Sequence, residues 1–166
     1  EVSYLMSLPK IFFEAYLKEL IEKNIRVTMI GELDKIPEEA AYFFRSAIEK
    51  TAHNTGMVLN FALNYGSRDE IVKACMAYAL DYKNNKVDTL NEEMFKSYLM
   101  TKDLADVDLL IRTSGEERIS NFLLYQIAYS ELVFTDVNWP DFDEKVFDEC
   151  LATYQNRKRR FGGLNK

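Results

Sequence analysis

Four short, mostly apolar runs, spaced by helical stretches, constrain this chain more than any other feature. They are Ile25–Ile30, Met57–Leu63, Val107–Ile111 and Leu132–Phe134. Strands that alternate with helices pair in parallel, because a tight turn cannot join parallel neighbours. The expected fold class is therefore α/β, a mostly parallel sheet flanked by helices with right-handed crossovers. Met57–Leu63 is apolar except for Asn60, the pattern of a strand covered on both faces. Four strands are few for a doubly wound sheet, which suggests further strands upstream of Glu1.

The helices follow from spacing and punctuation. Leu5, Leu8, Phe12, Ala15, Tyr16 and Leu20 recur at helical intervals, predicting a helix over residues 2–24 that Pro9 either starts or kinks. Pro37 opens a second helix, to Thr51. Ser67 caps a third over residues 68–82, with Ile71, Cys75, Tyr78 and Tyr82 on one face. Short helices are expected near residues 91–99 and 122–129. The last, over 142–161, stops at Gly162-Gly163. No Pro/Gly linker or repeat breaks the 166 residues, and at about 150 residues per domain the chain reads as one domain over 1–166.

Composition removes several function classes. A net charge of −6 argues against a general nucleic-acid binder. No apolar run reaches about 18 residues, so no membrane-spanning helix is expected. Cys75 and Cys150 are far apart and form no CxxC pair, which suits two buried thiols in a reducing cytoplasm. One histidine, His53, and two distant cysteines cannot build a hydrolase triad or a zinc site.

Ligands of open α/β sheets sit beyond the carboxyl ends of strands. The richest such end runs Ile111-Arg112-Thr113-Ser114-Gly115-Glu116-Glu117-Arg118-Ile119-Ser120-Asn121. Arg112 leaves the strand, Arg118 follows a flexible Ser-Gly turn, and Ser120 stands where a helix is expected to begin. Two guanidinium forks, a hydroxyl and helix-start N–H groups suit a diphosphate. The bland alternative is that both arginines pair with Glu116, Glu117 or Asp108, and that Ser120 only caps. Asn64-Tyr65-Gly66-Ser67-Arg68 also joins a strand to a helix. It lacks phosphate-loop spacing and reads as a turn in which Gly66 relieves strain. Glu131 could help ligate a hard cation such as Mg²⁺, which uses one or two carboxylates plus substrate phosphates. Asp103, Asp106 and Asp108 lead into the amino end of a strand and read as solvated. Arg157-Lys158-Arg159-Arg160 is either a solvated helix end or a patch that reaches a partner's anionic ligand.

These blocks carry a resemblance. Asp108–Glu116, Arg118–Gln126, Tyr129–Leu132, Trp139–Phe142 and Arg159–Gly163 resemble, in order, the C-terminal signatures of the cis-prenyltransferases, above all the bacterial undecaprenyl diphosphate synthases. Asn54-Thr55-Gly56 and Asn64-Tyr65-Gly66 fit as well. The resemblance implies an α/β enzyme that condenses isopentenyl diphosphate with an allylic diphosphate, usually farnesyl diphosphate, using Mg²⁺. It implies that Arg112, Arg118 and Ser120 hold the isopentenyl diphosphate, with Ile119 contributing backbone, and that Glu131 binds the metal. Met57 falls near the floor of the tunnel for the growing chain. Arg160, Gly162 and Gly163 fall in a tail that crosses a homodimer interface. The product is a lipid carrier for cell-wall synthesis that partitions to the membrane, and the enzyme is cytoplasmic or peripheral to the membrane.

The departures from the family pattern are specific. The essential Asp of its Asp-Gly-Asn-Gly-Arg-Trp segment is expected upstream of Glu1, so the chain reads as the C-terminal two-thirds of such an enzyme, inactive alone. Ser67 and Ser114 stand where glycines are common, and Tyr125 where Trp is common. The alternative is a non-catalytic partner subunit of a heteromeric cis-prenyltransferase. A nucleotide-binding α/β domain is a further reading, but no ribose- or base-reading motif supports it.

Overall fold

The computed structural model describes residues 2–157. The chain divides into two compact units, Glu1–Lys102 and Asp103–Lys166, at a point where the sequence shows no linker. Arg160, Gly162 and Gly163 lie outside the described residues.

In the first unit, α1 (Val2–Leu5) and α2 (Leu8–Glu22) share the stretch expected to be one helix. Pro9 has no N–H to give the preceding turn, so the helix restarts at Leu8, and Ser7 closes α1 on the Tyr4 carbonyl. Strand β1 (Arg26–Gly31), helix α3 (Glu38–Thr51) and strand β2 (Val58–Leu63) form a parallel crossover, in register from Arg26 beside Val58 to Gly31 beside Leu63. Pro37 flanks α3 as its N-cap.

Phe13, Leu20, Val27, Phe44 and Ala47 form the buried core, with Leu59, Phe61 and Leu63 packed against it. The Phe13, Phe44 and Phe61 rings meet edge to face at 5.2–5.8 Å between centroids, the geometry their quadrupoles favour. Thr51 ties the crossover to the sheet. Its hydroxyl donates to the Ala47 carbonyl at 2.8 Å and accepts the Val27 N–H at 2.9 Å.

Strand β2 departs from expectation. None of its residues is fully buried, and Ala62 is exposed. Within this unit the helices cover only the face of Leu59, Phe61 and Leu63. The other face carries Asn60, whose amide oxygen accepts from the in-register Thr28 hydroxyl at 2.9 Å.

Helix α4 (Ser67–Lys83) begins one residue earlier than expected. Gly66 is its N-cap, and Ser67 is not a cap but a fully buried first residue. Ser67, Glu70 and Ala74 point inward and set the helical phase, which leaves Cys75 and Tyr82 exposed. Of the two thiols expected to be buried, only Cys150 is. Helix α5 (Glu92–Lys96) starts where Asn91 accepts the Met94 N–H at 2.8 Å.

In the second unit, β3 (Leu109–Arg112) and β4 (Glu131–Phe134) pair in parallel, Leu109 beside Glu131 and Arg112 beside Phe134. Helix α6 (Glu144–Gln155) is capped by Asp143, which accepts the Val146 N–H at 2.9 Å. The helix expected over 122–129 does not form. Ser120, Asn121 and Leu123 take φ values of 45°, 63° and 48°, a left-handed geometry that cannot propagate a right-handed helix. The segment is a chain of turns that buries Gln126 and Ile127. No helix among the described residues is long and apolar enough to cross a membrane.

Gly31 closes β1 at φ 103°, and a Cβ there would stand 2.0 Å from the Leu63 carbonyl oxygen. Gly31→Ala is expected to cost about 2 kcal/mol or more, from backbone strain and overpacking together. Urea unfolding measures it, and an unchanged midpoint contradicts the close approach.

Candidate functional site

The carboxyl end of β3 is extended by its neighbour. The Thr135 N–H bonds the Arg112 carbonyl, the Gly115 N–H bonds the Thr135 carbonyl, and the Ser114 N–H bonds the Val137 carbonyl, each at 2.9 Å. Ser114 and Gly115 take φ values of 68° and 63° and turn the chain sharply. Arg112 is half-buried at the base of this turn.

The loop folds back over Arg112. Its Nη1 donates to the Ser120 hydroxyl at 3.1 Å and to the Arg118 carbonyl. One guanidinium therefore gathers Arg118 and Ser120, with half-buried Ile119 between them. The Arg118 side chain turns to Glu116 as an ion pair, and both groups stay partly exposed. The bland alternative thus holds for Arg118 and not for Arg112. The helix N-terminus expected behind Ser120 is absent, so the donors on offer are two guanidiniums, a hydroxyl and loop amides.

Glu131 does not join this cluster. It is the first residue of β4 and register partner of Leu109, whereas Arg112 ends β3. Three residues of strand separate the two levels, about 10 Å. The pleat sends Arg112 and Glu131 to opposite faces. The Glu131 carboxylate is 24% exposed and accepts from Arg157 Nη1 at 2.9 Å. The same nitrogen reaches the Leu132 carbonyl at 2.8 Å. Among the described residues no group of three or more His, Cys, Asp or Glu could hold a metal ion. Glu131 offers one hard oxygen ligand, the type Mg²⁺ takes alongside phosphate oxygens and water.

Met57 lies in the first unit, just before β2, and is 62% exposed. The Asn64–Arg68 turn is there as expected, but Asn64, not Gly66, takes the left-handed φ, 46°. Asp103, Asp106 and Asp108 are exposed.

Two polar clusters were not legible in the sequence. Glu32 accepts from Lys73 at 2.6 Å, Lys35 at 2.7 Å and the Asn64 amide at 3.1 Å. Only the register of Gly31 beside Leu63 brings Glu32 to Asn64. Bonds from Lys35 and then Lys73 hold its carboxyl below the ordinary range. Glu70, 2% exposed, accepts from the Tyr65 hydroxyl at 2.5 Å and the Met100 N–H at 2.8 Å. Tyr65 and Glu70, five apart across a helix start, were the available signal.

Comparison with known proteins gives a consistent result. A family model for undecaprenyl diphosphate synthase matches residues 1–162. An isoprenyl transferase of Bacillus anthracis is 54% identical over 99% of this chain and 64% of its own length. A Micrococcus luteus ditrans,polycis-undecaprenyl-diphosphate synthase, named as (2E,6E)-farnesyl-diphosphate specific, is 52% identical over 99% of this chain and 67% of its own. The chain spans just under two-thirds of the length of its Bacillus relatives. Among solved structures, lavandulyl diphosphate synthase from Lavandula x intermedia, in complex with dimethylallyl diphosphate, matches with a TM-score of 0.92 and 34% identity. That match covers 98% of this chain and 71% of that one. A probable undecaprenyl diphosphate synthase from Campylobacter jejuni matches with a TM-score of 0.82 and 31% identity, over 98% and 74% of the two chains.

Lys35→Met is expected to raise the Glu32 carboxyl toward its ordinary range. With its folded value depressed, Glu32 contributes stability above the ordinary carboxylate range and loses it as pH falls through the depressed value. NMR titration of the Glu32 carboxyl tests this; an unmoved titration contradicts the Lys35 bond.

Proposed function

The chain belongs to the undecaprenyl diphosphate synthase family of cis-prenyltransferases, and from that premise we propose that the protein condenses isopentenyl diphosphate with an allylic diphosphate, farnesyl diphosphate first among them, to make a long polyprenyl diphosphate. One observation carries the residue assignment. Arg112, at the carboxyl end of β3, holds Arg118 and Ser120 in a single loop.

In this reading the isopentenyl diphosphate binds on the Arg112 loop. The guanidinium of Arg112 and the Ser120 hydroxyl turn from each other to phosphate oxygens, and Arg118 trades Glu116 for the ligand. Guanidinium forks suit this exchange, because they meet phosphate oxygens in pairs. Backbone at Ile119 completes the clasp. Held this way, the isopentenyl double bond is positioned to attack the allylic carbon. A carbon–carbon bond forms, the allylic carbon–oxygen bond breaks with diphosphate leaving, and a proton departs from the isopentenyl unit. Arginine clamping supplies orientation and charge stabilisation.

The family resemblance supports the remaining assignments. The aspartate that serves the allylic diphosphate would lie upstream of Glu1, and the chain alone would not turn over. Glu131 would give one oxygen to Mg²⁺, which when bound neutralises diphosphate charge. Met57, exposed before β2, would line the floor of the product tunnel. Arg160, Gly162 and Gly163 would cross a homodimer interface. The protein would be cytoplasmic, with its product passing to the membrane as a cell-wall lipid carrier.

In the full-length protein, Arg112→Ala is expected to raise the isopentenyl diphosphate KM and lower kcat/KM by roughly 10- to 100-fold, the worth of a lost charge-assisted contact. Steady-state kinetics test it, and unchanged constants refute the assignment. Isopentenyl diphosphate binding without turnover would instead favour the non-catalytic partner subunit. Met57→Ala is expected to lengthen the product, read by mass spectrometry of the polyprenyl chains; an unchanged length distribution removes Met57 from the tunnel.

A further inference from the structure

The stretch that enters α6 builds an aromatic step on the surface of the second unit. Residues Trp139–Asp141 form a single 3-10 turn with Pro140 inside it, and the Phe142 N–H closes it on the Trp139 carbonyl at 3.2 Å. Side chains three apart eclipse in such a turn. Trp139 accordingly stacks on Phe142, with 5.9 Å between ring centroids and 11° between planes. Phe142 stands just before the Asp143 cap and meets Phe147 of α6 edge to face at 6.4 Å. A residue before the cap, packed on the fourth residue of the helix, fixes the angle at which the chain enters. Local geometry thus holds the three rings in place before anything binds. They are not covered. Trp139, the only tryptophan of the chain, is 73% exposed, and Phe147 is 43% exposed.

The flanking charge has one sign. Lys145 is the only cation between residues 135 and 156. Asp136, Asp141, Glu144, Asp148 and Glu149 are exposed, and unlike the paired charges at the strand ends they have no cation partner among the described residues. Asp143, Glu144, Asp148 and Glu149 line an open groove of about 620 Å³ along the first turns of α6. Exposed apolar surface with a polar rim marks an interaction surface, and tryptophan is a frequent anchor of such surfaces. The carboxylates repel an anionic lipid leaflet or a nucleic acid. A twofold contact of the face with itself sets acid against acid. Arginine answers both parts of the face. Its guanidinium lies flat on an indole and meets carboxylates with paired bonds. We propose that the Trp139–Phe142–Phe147 step is a docking surface for a partner polypeptide, through a segment in which arginines alternate with apolar residues.

The test titrates the full-length protein into a fluorescein-labelled octapeptide of alternating arginine and leucine, read by fluorescence anisotropy. Saturable binding is expected, and Trp139→Ala is expected to weaken it about tenfold, the loss of a central aromatic anchor. Asp141→Asn/Asp148→Asn leaves the rings and the Asp143 cap in place. It is expected to weaken binding about threefold at low salt, and by less as salt screens the charges. The matching lysine–leucine peptide is expected to bind more weakly than the arginine one. Absence of saturation, or an affinity unchanged in Trp139→Ala, overturns the proposal. If Trp139→Ala lowers the melting temperature, the carboxylate variant carries the test, and an affinity unmoved there at low salt overturns it. Binding to phosphatidylcholine vesicles that Trp139→Ala abolishes assigns the face to lipid. Self-association in sedimentation equilibrium that Trp139→Ala abolishes assigns it to a second copy. Either of these results also overturns the proposal.

Discussion

Parallel pairing is the constraint on which the rest depends. A chain that leaves the carboxyl end of one strand must return to the amino end of the next before it can pair. Between β1 and β2 the return is α3, whose backbone bonds are internal to the helix. Between β3 and β4 the return is residues 113–130, which contain no helix. That segment must satisfy its backbone by other means. It does so with short-range turns and with bonds to the stretch after β4, while the Ser130 hydroxyl donates to the Val107 carbonyl ahead of β3 at 2.5 Å. An irregular return is free to place side chains where a helix could not, and Arg118 and Ser120 stand on it.

The strands were legible because each is a short, mostly apolar stretch with a polar or glycine boundary, and all four lie within two residues of where the sequence puts them. Helix α3 was legible from Pro37. The segment at 122–129 misled because Phe122, Leu123, Leu124 and Ile127 have an apolar pattern that says nothing about φ. Left-handed Ser120, Asn121 and Leu123 are tertiary choices, held by burial of Gln126 and Ile127. Strand β2 misled because apolar composition does not reveal which face a helix will cover. Arg112 was readable as the residue that ends a strand. Arg157 was not readable as Glu131's neighbour, because that contact needs the length of α6, its terminal turn and the β4 register together.

The charged groups show a common arrangement. Arg118 is met by Glu116, Glu131 by Arg157, and Glu32 by Lys35 and Lys73. Each of these groups already has an opposite charge at hand, whereas Arg112, which ends β3, meets a hydroxyl and a carbonyl instead. A ligand does not enter a field of bare charge; it exchanges partners. Such exchange favours ligands that offer several oxygens at once, since a single acceptor only replaces the one it displaces.

Glu70 has a different consequence. By accepting the Met100 N–H it holds residue 100 against the start of α4, and Tyr98 reaches the Asp81 carboxylate at 3.2 Å. The polar segment after α4 is therefore a loop closed at both ends by side chains. Closure entropy grows only with the logarithm of loop length, and doubling it costs about 0.6 kcal/mol. Residues 84–91 are thus a place where the chain can gain or lose length with little thermodynamic penalty, while the ends of the loop stay put.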